Sequence, residues 1–432
     1  MATKVVVIGA GGREHALVRA LTRGVKWGDP REVVCIPGSA GIALEARCVP
    51  SVSDVDSLAK ATIAEQPALV VVGPEAPLAA GLADRLRAAG IPVFGPSEKA
   101  AQIEASKAFA KEIMQAAGVP TARVRVFDDR ESARTYAATA GACVVKLDGL
   151  AAGKGVIVCD DSTQAFFAVD ELWRAGARLL IEERLSGPEL SVIALCDGTD
   201  AIALPAARDH KRIFDGDQGP NTGGMGALCS PRDATPELIE QVMREVIAPT
   251  LAELKRRGTP FIGALYAGMM LTPEGPRVLE FNCRLGDPEA QAILIRLAAD
   301  PLALLSACAV GQLKAQGFLS TRRPAFDRRT SVALVLAAAN YPSAPRPGDK
   351  IEGLDSLAPW VPGGQGEDLW ILHAGTRLEN EAFVTAGGRV LTVVALAEDT
   401  KAARARAYAA AARLRWTGMQ LRQDIGLADV QA

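Results

Sequence analysis

The chain has 432 residues, with 48 Lys and Arg against 50 Asp and Glu, a formal net charge of −2 and 49% hydrophobic residues. This length exceeds what one core organises and predicts about three units, while near-neutral charge without a basic block argues against phosphate-driven nucleic-acid binding. No uncharged apolar run approaches the ~18 residues of a membrane span, and eight cysteines without a C-x-x-C pair read as reduced, mostly buried thiols of a cytoplasmic protein.

Lys4–Gly9 (KVVVIG) reads as a buried strand ending on glycine, followed by helical spacing over His15–Arg23. It begins without a basic leader, so no export signal is expected. Glu32–Ile36, Leu69–Val72 and Pro92–Phe94 are further short apolar strands with helical patterns between them. That alternation predicts a parallel, doubly wound sheet over about residues 1–95. One helix is predicted over Ser97–Gly118, capped by Ser97 and stopped by Gly118. From Thr121 to Ile181, strands joined by tight turns predict a small α+β lobe. Residues 185–325 read as a larger mixed region whose polar, glycine-rich stretch 207–227 is expected to be a long loop, functional or disordered. Short strands then precede a terminal helix over Thr400–Trp416, whose arginines are read as a solvated face.

GAGGREH (9–15) follows the first strand, but a G-x-G-x-x-G fingerprint would need glycine where Glu14 stands. The second strand ends in Ile36-Pro37-Gly38, without the acid that would hold an adenosine ribose. A glycine turn opening a helix still presents free N–H groups to an anion, and Arg13 adds a fork suited to phosphate. A phosphorylated small molecule is therefore favoured over a dinucleotide, against the plainer reading of a strand–helix turn with a surface arginine. Gly73-Pro74-Glu75 would add a second loop at the same sheet edge.

The segment KLDGLAAGKGVIV (146–158) is not a Walker A loop: three residues separate Gly149 from Gly153, and Gly155 stands where a hydroxyl would bind metal. The strands 143–147 and 155–159 are predicted to pair as a hairpin. Lys154 would lie at its tip and Lys146 in its first strand. A Lys–phosphate contact at ~4 Å is worth ~4 kcal/mol at an effective dielectric near 20 and far less in water, which favours a flap that closes over its ligand. The alternative is a flexible glycine hairpin with a solvated lysine. Residues 264–284 read as two strands around a TPEGP turn. Period two sets Leu279, Phe281 and Cys283 toward the core and Glu280, Asn282 and Arg284 on the other face. An acid and an amide suit Mg²⁺ that is completed by phosphates, and Arg284 is spaced for a carboxylate or phosphate; the alternative is a salt-bridged surface strand.

Together, GGREHAL (11–17), VGPEAPL (72–78), SKAFAK (106–111), DGLAAGKGV (148–156), IEE (181–183), DHKR (209–212), GPNTGGMGA (219–227), EFNCRLGDPE (280–289) and HAGT (373–376) resemble the ATP-grasp enzymes and, within them, the phosphoribosylamine–glycine ligases of purine biosynthesis. The resemblance spans essentially the whole chain. It implies an α/β ATP-grasp fold: a Rossmann-like substrate-binding domain over 1–100, an ATP-grasp domain over 101–325 with a flap subdomain at about 121–184, and a mixed α/β C-terminal domain over 326–432. It implies ligation of glycine to 5-phosphoribosylamine through glycyl phosphate, with ATP and Mg²⁺ or Mn²⁺, in a cytoplasmic monomer or weak dimer without nucleic-acid or membrane partners. Lys107, Lys146 and the loop of Gly149, Gly153, Lys154 and Gly155 would meet the ATP phosphates, Glu182 and Leu185 the adenine edge, and Glu189 the ribose. Glu280 and Asn282 would hold the metal. Gly12, Arg13, Glu14 and Glu75 would bind phosphoribosylamine, while Asp209, Lys211, Arg284, Gly223, Gly224 and Asp287 would organise glycine and the transferring phosphate.

The chain departs from the family pattern at Ala10, where Asn is usual, in a shortened stretch between Phe167 and Arg178, and at Leu285 in place of Phe. Two other readings remain: a related ATP-grasp ligase or carboxylase acting on a later purine intermediate, and a non-catalytic nucleotide binder, against which Lys107, Lys146, Glu280 and Asn282 argue. Of the histidines, His210 in DHKR is given a site role, His373 a structural one, and His15 either packing or ligand contact.

Overall fold

The computed structural model describes residues 2–23, 30–51, 54–150, 155–320, 324–357 and 366–431. Its first strand, Thr3–Gly9, lies at the centre of a five-stranded parallel sheet. Arg31–Pro37 pairs on one side and Leu69–Val72 on the other, with Arg47–Cys48 and Val93–Phe94 at the edges. Val5, Val6, Val7 and Ile8 are all buried. A strand covered on both faces must be apolar throughout, so it reads as a run and not an alternation. The strand order reverses at Thr3–Gly9. The loops leaving its C-terminal end and that of Leu69–Val72 therefore lie side by side, the usual place for a ligand in such sheets.

The single helix expected over Ser97–Gly118 is two helices, Glu98–Ala105 and Lys107–Ala116. Ser97 caps the first through the Ala100 N–H. Ser106 leaves the helical region at φ −132°, ψ 113°, and its Oγ accepts the Phe109 N–H at 3.1 Å. A serine hydroxyl offers the backbone an alternative partner, and here that places Lys107 in the first turn of a new helix. Gly118, at φ +66°, takes the left-handed conformation that ends it.

The flap lobe is a four-stranded antiparallel sheet in the order Val124–Phe127, Leu179–Glu183, Cys143–Leu147, Val156–Cys159. The helices Arg130–Ala137 and Ser162–Leu172 cover it, and Asp129 and Asp161 cap their N-termini. A nine-stranded sheet forms the rest of the scaffold. It runs without a break across position 326, because Gly226–Cys229 pairs antiparallel with Thr330–Ala337.

The stretch 207–227 is not one loop. Ala207–Asp209 and Gly226–Cys229 join the large sheet, and Arg212–Phe214 pairs with Gln218–Asn221 as a hairpin. Buried Arg422 pins that hairpin, donating to Arg212 O at 3.1 Å and Asp217 at 2.7 Å. The terminal helix, Thr400–Ala411, is shorter than expected, and its arginines are not simply solvated. Arg404 bonds the carbonyls of Gln423 and Ile425, and Arg406 that of Leu396. All eight cysteines are free, and seven are buried. Among the described residues no helix is long and apolar enough to cross a membrane.

His15 and Arg19 on the helix Gly12–Arg23 both hold Glu45, and Arg19 also donates to Ile371 O at 3.1 Å, tying the N-terminal sheet to the C-terminal segment. Burial would raise the Glu45 carboxyl, but hydrogen bonds from His15 and Arg19 outweigh it and bring it from 4.5 to about 2. A carboxylate depressed in the folded state stabilises above its unfolded pKa, and that contribution is lost as pH falls through the folded value. Glu45→Gln should therefore cost about 2–3 kcal/mol at neutral pH. The difference from wild type should close between pH 4.5 and 2, as denaturant melts at several pH values would show.

Candidate active site

A cavity of about 560 Å³ opens where the two N-terminal loops, the flap lobe and the large sheet meet. The wall formed by the strand Gly275–Asn282 differs from the sequence reading. Gly268 pairs with Glu280 but Met269 with Val278, so a β-bulge leaves Leu279 as the extra residue. Val278, not Leu279, packs into the core with Phe281 and Cys283. Leu279 instead lines the cavity, and its carbonyl accepts from Lys146 Nζ at 3.2 Å. Glu280 and Asn282 line the cavity as expected. Burial opposes ionisation of Glu280, but Lys211, Lys146, Lys107 and Arg284 outweigh it and hold the carboxyl below its ordinary range. Among the described residues no group of three or more His, Cys, Asp or Glu could enclose a metal ion. An acid–amide pair fits the partial shell of a hard cation whose other ligands are phosphate oxygens and water.

Next to this strand, Glu182 is 3% exposed. Lys146 reaches its carboxylate at 2.9 Å and Lys111 at 3.0 Å. The carboxylate expected to meet an adenine edge is thus committed to two lysines, with only Oε1 lacking a partner. Lys111 was missed by the sequence reading, although it follows Lys107 by four positions and so shares its helix face. Lys107 Nζ donates to Gly149 O at 2.9 Å, holding the base of the flap. Burial lowers both Lys107 and Lys111 from the ordinary lysine value. Asp148 secures the same base, accepting from Ala108 N at 3.2 Å and Arg178 at 2.7 Å. Gly149 and Gly155 line the cavity; Gly153 and Lys154 lie outside the described residues.

Of the N-terminal loop residues, Arg13 and Glu75 line the cavity. Glu14 does not: it folds back to accept the Gly11 N–H at 2.7 Å and Arg13 Nε at 2.6 Å. Its carboxylate fills the space over Gly73, where a Cβ would lie 2.1 Å from Oε1. Glu14 therefore sets the loop and the Arg13 fork, and it is packed away because the Gly11 N–H and the buried Arg13 both need it. Gly12 faces Gln291, where a Cβ would sit 2.9 Å from the amide nitrogen, and is also off the cavity wall. Arg284 pairs with Glu75 at 3.3 Å and Glu104 at 3.0 Å. Glu104 also accepts the Cys283 N–H at 2.8 Å, fixing backbone and side chain of this strand together. No motif marks Glu104.

Asp209, Lys211, Gly223 and Asp287 line the remaining wall. Lys211 pairs with Glu189 at 2.7 Å. Glu189 itself is off the wall, as is half-buried Leu185. Gly224, at φ +110°, is also off it, and a Cβ there would meet Pro288 Cδ at 2.5 Å. The C-terminal segment contributes Tyr341 and Arg389, both unforeseen. Tyr341 Oη accepts the Gly223 N–H at 2.9 Å, while Arg389 donates to Gly223 O at 2.6 Å and pairs with Asp287 at 3.1 Å.

His210, expected in the site, is not on its wall. Burial, with the Arg422 charge, pushes its imidazole down to about 4, and Nδ1 is buried without a partner. His15 pairs with Glu45 and accepts the His373 N–H at 2.9 Å, and His373 meets Thr376 Oγ1 at 3.0 Å; both are buried.

Three family models match: the N domain of phosphoribosylglycinamide synthetase over residues 3–104, its ATP-grasp (A) domain over 105–290 and its C domain over 331–428. The phosphoribosylamine–glycine ligase of Streptomyces coelicolor is 48% identical over 98% of both chains, and that of Ralstonia nicotianae is 45% identical over 98% of both. Among solved structures, the phosphoribosylamine–glycine ligase of Thermotoga maritima superposes with a TM-score of 0.82 at 32% identity, covering 98% of this chain and 100% of that one. The biotin carboxylase domain of Hydrogenobacter thermophilus 2-oxoglutarate carboxylase, at 19% identity and a TM-score of 0.71, shares the fold over 98% of this chain and 92% of that one.

Proposed function

The chain belongs to the phosphoribosylglycinamide synthetase family, and on that premise we infer that it is an ATP-dependent ligase joining glycine to phosphoribosylamine in purine biosynthesis. The observation that supports the reading best is one cavity holding a cationic wall (Lys107, Lys111, Lys146), an acid–amide strand (Glu280, Asn282) and a glycine loop with Arg13. The first takes the triphosphate, the second a divalent cation (Mg²⁺ or Mn²⁺), and the third the phosphate of the sugar.

Glycine's carboxylate attacks the γ-phosphoryl group, giving glycyl phosphate and ADP. The amine of phosphoribosylamine then displaces phosphate to give glycinamide ribonucleotide. No side chain need become covalent: alignment and charge neutralisation carry phosphoryl transfer. When bound, the divalent cation neutralises charge developing on the phosphoryl oxygens. Lys146 and Lys107 orient the phosphates, and desolvation under the flap strengthens each contact. Arg284, held by Glu104 and Glu75, places its charge beside the acid–amide strand. Lys211 and Arg389 supply cations to the wall where the carboxylate reacts.

Mixing the protein with ATP, phosphoribosylamine and glycine should release ADP only when glycine is present. Release that depends on bicarbonate or formate instead would favour the related-carboxylase or formate-ligase reading.

A further inference from the structure

The bulge that sets the acid–amide strand is fixed from outside the cavity. Thr121 is half-buried, lies in the connection from the helix Lys107–Ala116 to the flap strand Val124–Phe127, and is not on the cavity wall. It meets Val278, the residue before the bulged Leu279, in a single parallel bridge. Both polar backbone groups of Val278 are engaged there. Its N–H donates to Pro120 O at 2.8 Å, and its carbonyl accepts from Thr121 Oγ1 at 2.6 Å. Thr121 Oγ1 in turn accepts from Lys111 Nζ at 2.8 Å. An ammonium group only donates, so the one hydroxyl proton is directed at Val278 O.

A second arm reaches the next carbonyl. Lys146 Nζ donates to Leu279 O at 3.2 Å, and Lys146 and Lys111 both end on Glu182 Oε2, at 2.9 and 3.0 Å. One carboxylate oxygen thus holds two successive peptide groups of the bulge, one through Lys146 and the other through Lys111 and Thr121. The extra residue of a bulge is left out of the ladder with the neighbouring strand, so its peptide planes need other partners to stay fixed. The residue that follows is Glu280. Rotation of either peptide plane flanking Leu279 would swing the Glu280 carboxylate off the wall it shares with Asn282. A hydroxyl between an ammonium donor and a carbonyl is polarised by both, which strengthens each bond of the chain.

We propose that Thr121 is a positioning residue of the reaction: relaying Lys111 to Val278 O, it fixes the bulge so that Glu280 and Asn282 present their oxygens to the divalent cation. The role rests on the cation site of the ligase reading above, and it places a determinant of metal affinity on a side chain off the cavity wall. Thr121 also begins the chain's passage into the flap lobe, so lobe and strand share one fixed point.

The affinity for ATP with and without Mg²⁺, measured by calorimetry in the absence of glycine and phosphoribosylamine, tests it. Thr121→Val keeps the shape and removes the hydroxyl. Its metal-dependent gain in ATP affinity should fall roughly 10-fold, the low end of what groups holding a metal ligand in place contribute, while affinity without metal stays within about twofold of wild type. The half-saturating Mg²⁺ concentration for ADP release should rise by a similar factor. Thr121→Ser, which keeps the donor and acceptor, should restore both to within about twofold. A lowered Tm in Thr121→Val with the metal dependence of wild type shows a purely structural hydroxyl and overturns the proposal, as does an equal loss of metal affinity in Thr121→Ser. Should Thr121→Val not fold, Thr121→Ala, which introduces no new contact, carries the same readout: a reduced metal-dependent gain supports the role and the gain of wild type overturns it. A wild type whose ATP affinity gains nothing from Mg²⁺ overturns the cation site and the role of Thr121 with it. A wild type that gains from Mg²⁺ but releases no ADP on addition of glycine overturns the ligase reading alone, and the binding measurements still decide Thr121.

Discussion

Glu280→Ala should lower kcat for glycine-dependent ADP release by roughly 10²–10³-fold, the effect of removing one preorganised charge contact from a transferring group. The residue sits beside the bulge with its carboxylate on the cavity wall, where Lys211, Lys146, Lys107 and Arg284 hold it ionised against burial. An ionised carboxylate is what a hard cation requires. The variant should keep its fold, because the strand's core side, Val278 and Phe281, is untouched. The decisive measurement is ATP affinity by calorimetry with and without Mg²⁺: wild type should show a metal-dependent gain that the variant has lost. Asn282→Ala, which removes a neutral donor, should show a smaller loss. Turnover of Glu280→Ala equal to wild type would place the cation elsewhere and favour the non-catalytic reading.

Glu182→Ala should give the largest loss of stability. Lys146 and Lys111 converge on that carboxylate within 3.0 Å, and all three side chains are buried. Removing one partner of a buried ion pair typically costs about 3–5 kcal/mol, because it strands the opposite charge. In a chain of this length that lowers Tm by roughly 3–6 °C. Calorimetric melts should show it, and saturating MgATP should restore part of the loss, since the triphosphate then answers the stranded lysines. The double variant Glu182→Leu with Lys146→Met should recover part of the stability without ATP but not the activity. A Glu182→Ala melt within a degree of wild type would show that the two lysines do not depend on it.

Much of the scaffold was legible locally. The run VVVI announces a strand buried on both faces, and GAGGREH announces a tight turn into a helix, because each pattern depends on neighbours along the chain. The flap strands pair as their composition implied, Cys143 opposite Cys159. Reading failed where a side chain overrode local periodicity. Ser106 breaks a helix whose apolar spacing continues, because its hydroxyl serves both Phe109 N and Asp148. The bulge at Leu279 shifts the alternation by one, so a residue expected in the core lines the cavity. The 207–227 stretch looked like a loop because its strands are short and its anchor, Arg422, is distant in sequence.

By itself, then, the sequence determined the architecture and the chemical types in the site: a glycine turn with Arg13, a lysine-bearing hairpin, and an acid–amide strand. These follow from backbone freedom at glycine, apolar periodicity and charge, all of which act over a few residues. Tertiary structure alone decided which charges meet. It committed Glu182 to Lys111 and Lys146, turned Glu14 inward against Gly73, and set Glu104 against Arg284. It also brought Arg389 to Gly223 across 166 positions. Such pairings depend on how separate layers close on one another, and a single chain's local pattern does not encode which distant side chain will answer a buried charge.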